Sequence, residues 1–268
     1  MNLKGQWVWV TGASSGLGLE LCKQLSKIGA NLLITARRVD RLEALALELR
    51  AAGVNVRVLP GDMSKRADVE RLLKVAKEVP LAAAVLNAGV THFGHHHELE
   101  WEAFEAMLQT NVISTARLTT ELVKHFQSKG LPGRIMLVTS MTGLMPVPFQ
   151  AAYSGTKAFL TSFGTALAHE LTGSPISVTV FAPGGIATEQ TAGVRFESLR
   201  GWLAPVDVMA AEALVALRGR DPLYVGGFIN RLGLFAFRFL PRNLVMWELS
   251  RQYRKALAVA ATAETAKK

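Results

Sequence analysis

A single cysteine, Cys22, has no partner within the 268 residues, which excludes an internal disulfide framework and any multi-cysteine metal site. Charged residues are few, at 19%, against 50% hydrophobic, a balance that excludes a disordered chain and suits a sheet buried on both faces. Acid is scarcer than base: 21 Asp and Glu face 30 Lys and Arg, a formal charge of +9. That surplus admits nucleic acid, an anionic membrane surface or an anionic small molecule as a partner. No basic run exceeds two residues, and basic residues do not interleave with aromatic ones as they do along a bound strand, so no nucleic-acid partner is expected. Phe228–Trp247 is rich in Leu and Phe, yet Arg231, Arg238, Pro241 and Arg242 interrupt it too often for a bilayer span, which takes ~20 mostly apolar residues. Met1 to Gln6 lead into a strand pattern without the apolar core of a signal peptide, and the expected compartment is the cytoplasm.

What is present is alternation. Short β-branched or aliphatic runs recur at Trp7–Val10, Asn31–Thr35, Val54–Leu59, Ala82–Leu86, Arg134–Thr139 and Ser177–Phe181. Helical patterns lie between and after them, at 16–29, 39–52, 65–78, 101–129, 152–172 and 206–218. Alternating strands and helices close by right-handed crossovers into a doubly wound parallel α/β sheet with helices on both faces. One domain over 1–268 is expected, with 190–250 forming a substrate loop, which carries Phe196 and Trp202, and an apolar lid or interface. The Ala/Thr/Lys-rich tail from Ala256 to Lys268 is expected to fray.

The first strand runs into Thr11-Gly12-Ala13-Ser14-Ser15-Gly16-Leu17-Gly18 and then a helix, the setting a dinucleotide-binding turn requires. Gly12 permits the tight turn, Gly16 lets backbone approach a pyrophosphate, and Gly18 lets helix and strand pack closely; the helix start offers unpaired N–H groups to phosphate. A bare glycine-rich turn without ligand is the alternative. The second strand ends in Ala36-Arg37-Arg38 with no carboxylate to accept from an adenosine ribose, whereas two guanidiniums can hold a 2′-phosphate, so the loop favours NADP(H) over NAD.

Tyr153 and Lys157, at i and i+4 near the start of a helix, share one face. An ammonium beside a phenol is expected to lower its pKa from ~10 toward working pH, where acid/base catalysis is most efficient. Ser140 closes the fifth strand, where open α/β sheets present ligands, and its hydroxyl can orient a carbonyl. Asn111 lies inside a helical pattern for which asparagine has poor propensity, so it holds either a polar role or a satisfied buried amide.

These motifs, with Asp62, Asn87-Ala88-Gly89 and Pro183-Gly184, stand in the order and spacing of the short-chain dehydrogenase/reductase family, which the chain resembles over about residues 5–190. The resemblance implies a Rossmann fold, NADP(H) as cofactor and an oxidoreductase interconverting a carbonyl and a secondary alcohol, with Asn111, Ser140, Tyr153 and Lys157 as the catalytic set. It implies that Ser14, Ser15, Leu17 and the three glycines hold the phosphates, that Asp62 and Met63 meet the adenine, and that Asn87, Ala88 and Gly89 support sheet and ribose. It further implies that Lys157 bonds the nicotinamide ribose, that Pro183, Gly184, Ile186 and Thr188 run along the nicotinamide, and that Asn111 holds a relay water. An extra glycine in Pro183-Gly184-Gly185 is expected to loosen that wall.

A small carbonyl or alcohol substrate is the expected ligand, hydrophobic if Met141, Leu144, Met145, Val147 and Phe149 face it. His92, His95, His96 and His97 read as a pocket rim, and no metal is expected. Family members commonly assemble through their long helices, here 101–129 and 152–172, so a homodimer or homotetramer is expected. Phe228–Trp247 reads first as a lid, then as an interface, then as a peripheral membrane contact. The glycine-rich closing strand of bacterial ketoacyl-carrier-protein reductases is not evident, which counts against a carrier-protein partner. The alternative to an enzyme is a non-catalytic NADP-binding sensor or scaffold.

Overall fold

Every predicted apolar run becomes a strand in the computed structural model, which describes residues 1–237 and 239–265; Arg238 and 266–268 lie outside the described residues. The strands are β1 (Trp7–Thr11), β2 (Asn31–Thr35), β3 (Val56–Val58), β4 (Leu81–Leu86), β5 (Gly133–Val138), β6 (Ile176–Ala182) and β7 (Leu223–Val225). They form one sheet in the order β3-β2-β1-β4-β5-β6-β7, and every pair is parallel. The order reverses between β1 and β4, and the crevice beyond the strand ends at that switch point is where open α/β sheets bind ligands.

Strand side chains alternate between two cores with the period of two that a pleat imposes. Val8, Val10, Leu32, Ile34, Val85 and Met136 face α1 (Gly16–Lys27), α2 (Val39–Ala51) and α7 (Val206–Arg218). Trp9, Leu33, Leu86, Ile135 and Leu137 face α3 (Arg66–Glu78) and α5 (Thr115–Lys129), with Phe163 and Leu167 of α6 (Ala151–Glu170) against the same core. Trp9 is fully buried and still satisfies its indole, whose Nε1 donates to Thr35 Oγ1 at 2.9 Å. Cys22 sits in the first core, where burial pushes its thiol pKa up, so it is an inert apolar side chain.

Three expectations need correction. The helix expected over 101–129 is three pieces: α4 (Trp101–Leu108), a π-turn at Gln109–Ser114, and α5. The closing strand judged missing is present as β7, followed by Gly226 and Gly227; at three residues after Pro222 it is too short to announce itself. Beyond it, α8 (Phe228–Phe237) and α9 (Arg242–Thr265) are helical. The tail is not frayed through Thr265, because Ala256 and Ala260 pack inward and hold that end of α9.

Candidate active site

The glycine loop between β1 and α1 is tied to β4. Gly12 and Gly16 take positive φ of 70° and 55°, which L side chains rarely adopt. A Cβ on Gly18 would lie 2.3 Å from the Gly12 carbonyl oxygen and 2.5 Å from Asn87 Nδ2, so only glycine lets α1 start this close to the turn. Asn87 Nδ2 donates to the carbonyls of Thr11 and Gly12, and Thr11 Oγ1 accepts from the N–H groups of Asn87 and Ala88. Ser15 caps α1 without a side-chain bond, so the side chain leaves the first N–H groups of the helix unsatisfied. Arg38 reaches over the loop and donates to Ser14 Oγ at 3.1 Å, while Arg37 is exposed at the end of β2.

Asp62 and Met63 lie beyond β3. Asp62 accepts from the Ser64 N–H and hydroxyl, and Ser114 of the π-turn donates to the Met63 carbonyl at 2.7 Å. The same turn carries Asn111, which is fully buried. Its Oδ1 accepts from Val90 N–H, and its Nδ2 donates to Val90 O and Thr156 Oγ1. Both amide donors are used, and one Oδ1 lone pair remains. A Cβ on Gly89 would lie 3.4 Å from both Asn111 Oδ1 and Lys157 Nζ, so that glycine leaves the two side chains open toward each other.

Ser140 and Tyr153 meet at the end of β5. The Ser140 hydroxyl faces the Tyr153 phenol and acts to hold its pKa down, and Ser140 Oγ accepts from Thr142 N–H at 3.2 Å. Lys157, one turn on, is buried; its Nζ donates to the Val138 carbonyl at 2.9 Å and lies 5.7 Å from the Tyr153 ring centroid. Burial brings the lysine pKa down to about 8. Lysine was expected to draw the phenol pKa down, but burial outweighs it: the phenol is pushed up to about 12, opposed only by the Ser140 hydroxyl. Tyr153 is therefore a neutral O–H donor at working pH.

The segment after β6 forms the opposite wall. Met141 N–H donates to Pro183 O at 2.8 Å, and Ile186 pairs with Ala204 as an isolated bridge. Its glycines do not loosen it. A Cβ on Gly184 would lie 2.4 Å from Asn230 Nδ2, and one on Gly185 would lie 2.8 Å from Leu203 Cδ2, so both positions are close-packed. Thr188 packs against Gly16, where a Cβ would meet its methyl at 3.2 Å. Two neighbours were missed from sequence: Glu189, which salt-bridges Arg38 and Arg41, and Gln190, whose Nε2 donates to Gly89 O. No local signal marks pairings made across more than a hundred residues.

Phe93, Leu199 and Ala256 form a third apolar cluster with Phe149, Phe196, Tyr253 and Leu257. It joins the loop after β4, the loop before α6, the 3-10 segment Val194–Trp202 and α9. Phe149 has a φ of 65°, the sole positive value outside glycine among the described residues, a conformation worth about 1–3 kcal/mol of strain for such a side chain. Its carbonyl accepts from Gly94 N–H, and its ring meets His95 edge-on at 5.1 Å. Leu144 instead lines a hollow on the outer side of α6 with Thr165 and His169, and Trp202 is exposed. Two buried polar atoms, His92 Nε2 and Thr142 Oγ1, have no hydrogen-bond partner among the described residues.

Residues 6–198 match the family model described as short chain dehydrogenase. The chain belongs to the short chain dehydrogenase family. A very-long-chain 3-oxoacyl-CoA reductase of Podospora anserina is 36% identical over 202 residues, which are 73% of this chain and 59% of that protein. The chain spans about half the length of the curated relatives it matches, from 59% down to 50% in the first of them. A solved 7beta-hydroxysteroid dehydrogenase superposes with a TM-score of 0.82 at 25% identity, covering 94% of this chain and 99% of that one. A short-chain dehydrogenase from Sphingobium yanoikuyae, solved in complex with NADPH, gives 0.75 at 25% identity, over 88% of this chain and 96% of its own. Membership in the short chain dehydrogenase family accounts for the seven-stranded parallel sheet and for the order of the motifs along it.

Proposed function

We propose that the chain uses NADPH to reduce a carbonyl on a hydrophobic substrate to a secondary alcohol, with Tyr153 as proton donor. The observation that carries this reading is the Ser140–Tyr153 hydroxyl pair at the end of β5 with the Lys157 ammonium buried one helical turn away. The residues fit the cofactor: the glycine positions would not admit a Cβ, α1 begins with free N–H groups, and Arg37 and Arg38 replace the carboxylate that favours NAD. NADPH, when bound, supplies the hydride.

Ser140 orients the carbonyl oxygen, and Tyr153, which holds its proton, gives it to the forming alkoxide. Lys157 stabilises the phenolate that results, and Asn111 keeps one Oδ1 lone pair for a water that returns the proton. Gly12, Ser14, Ser15, Gly16, Leu17 and Gly18 take the phosphates; Asp62, Met63, Asn87, Ala88 and Gly89 take the adenosine and ribose; Pro183, Gly184, Ile186 and Thr188 take the nicotinamide. Segment 190–250 acts as loop and lid, with α9 seated on Val194–Trp202 and the phenylalanine cluster as the apolar wall. A 3-oxoacyl chain or a steroid ketone suits that wall, in keeping with the names of the relatives. A cytoplasmic location and assembly as a homodimer or homotetramer through α5 and α6 complete the reading. A sensor or scaffold without catalysis is disfavoured by Lys157: a buried ammonium with one carbonyl partner opposes folding, and only chemistry gives it a use.

Consumption of NADPH, with NADH in parallel, across ketones, ketoacyl thioesters, steroids and quinones tests the reading. NADPH-preferring turnover is expected; tight cofactor binding without turnover on any substrate would transfer the assignment to the sensor. The pH profile is a further expectation. The Lys157 pKa is depressed to about 8, so its charge is present below that pH and lost above it, whereas the phenol at about 12 stays protonated throughout. Reduction should fall as pH rises through about 8, and a profile flat across that range would contradict the role of Lys157. Gly18→Ala should cost about 1–3 kcal/mol of stability by overpacking the turn and should also shrink the thermal shift conferred by NADPH. An undiminished shift would place the cofactor elsewhere.

A further inference from the structure

None of the described residues of α8 is buried. Phe228, Ile229, Leu232 and Phe235 fall at i, i+1, i+4 and i+7, on one side of the helix, and Ile229 is 81% exposed. The apolar surface continues past the turn through Phe239, Leu240, Leu244 and Trp247, all exposed. Single exposed leucines are ordinary, but eight large apolar side chains on two consecutive helices and the turn between them form a patch that marks an interaction surface.

The rim of the patch says what it meets. Between Phe228 and Ala258 the described cations are Arg231, Arg242, Arg251, Arg254 and Lys255, all exposed; Arg231 pairs with Glu212 and Arg251 with Glu248, the one carboxylate of that stretch. Trp247, Arg251, Arg254 and Ala258 follow one stripe of α9 and, with Ser250 and Lys255, line a groove. Arg251 lies over the Trp247 ring at 5.6 Å. The opposite stripe, with Tyr253, Ala256 and Leu257, is held in the third apolar cluster, so the basic, tryptophan-bearing side faces outward.

We infer that α8 and the first half of α9 form a docking face for an anionic lipid surface. Acyl chains accept the Phe, Ile and Leu side chains, headgroup phosphates accept the Arg and Lys, and Trp247 sits at the boundary between them. A second copy of this chain fits less well, because a twofold contact would set each cationic rim against its own duplicate. Among the described residues no helix is long and apolar enough to cross a membrane, so the pair lies on the surface. The inference does not depend on the reductase chemistry, and its test reads binding alone.

Flotation of the full chain is measured with vesicles of phosphatidylcholine alone and with vesicles that also contain phosphatidylglycerol. The chain is expected to float with the anionic vesicles, and less so as salt rises. Phe235→Ser with Phe239→Ser should reduce partitioning by roughly a hundredfold, and Arg242→Ala with Arg254→Ala by roughly tenfold. All four side chains are exposed, so the melting temperature should stay at the wild-type value. Absence of flotation, or equal flotation with neutral vesicles, would overturn the inference. So would a dimer seen by light scattering that the Phe→Ser pair dissociates without changing vesicle binding, which would assign the face to a second copy.

Discussion

Tyr153→Phe is expected to lower carbonyl reduction by about 10²–10⁴-fold, the range that positioned proton transfer contributes. The hydroxyl it removes is the one that faces Ser140, and the carbonyl oxygen would lose its proton source together with half of its cradle. The ring itself stays: it is half-buried and keeps the Lys157 ammonium over its face at 5.7 Å. Folding and NADPH affinity should therefore change little, which separates this variant from a merely destabilised one. Single-turnover rates with a titration of NADPH check both halves. Near wild-type rates would remove Tyr153 from the chemistry, and a lost cofactor site would show that the hydroxyl serves structure.

Replacing Arg37 and Arg38 together with Ala should weaken NADPH binding by about a hundredfold while leaving NADH within about threefold, since charge-assisted bonds to a 2′-phosphate exist for one cofactor alone. Arg38 is already aimed across the loop, with Nη2 3.1 Å from Ser14 Oγ and Nη1 3.1 Å from Glu189. Glu189 holds the guanidinium in place and would compete with a 2′-phosphate for it. The exposed Arg38–Glu189 pair contributes little to stability, so the double variant should fold normally. Parallel titrations of the two cofactors read the effect, and an equal loss for both would make the arginines props of the loop rather than readers of the phosphate.

Much of the architecture was legible because its signals are local. Trp7–Thr11 followed by Gly12, Gly16 and Gly18 states strand, turn and helix within a dozen residues, and Tyr153 and Lys157 share a helix face by spacing alone. What stayed hidden depends on residues far apart. The π-turn that buries Asn111 is set by its bonds to Val90 and Thr156, and periodicity alone ran a single helix through it. Lysine beside tyrosine suggested an acidified phenol; how deeply the hydroxyl lies cannot be read from spacing, and burial reverses the direction of the shift. Gly184 and Gly185 looked like slack until Asn230 and Leu203 filled the space above them. The C-terminal helices escaped notice for the same reason: α9 reads as a weak tail until Phe93, Phe149 and Phe196 give Tyr253 and Leu257 something to pack on.

Transfer of deuterium from NADPH labelled at the hydride-donating carbon of its nicotinamide is the most direct test of the chemistry, run on a hydrophobic ketone with wild-type protein and with Tyr153→Phe. The account predicts deuterium on the carbinol carbon of the product, a hydroxyl proton drawn from solvent, and transfer that nearly vanishes in the variant. Product without the label, or labelled product formed as fast without the Tyr153 hydroxyl, would contradict it.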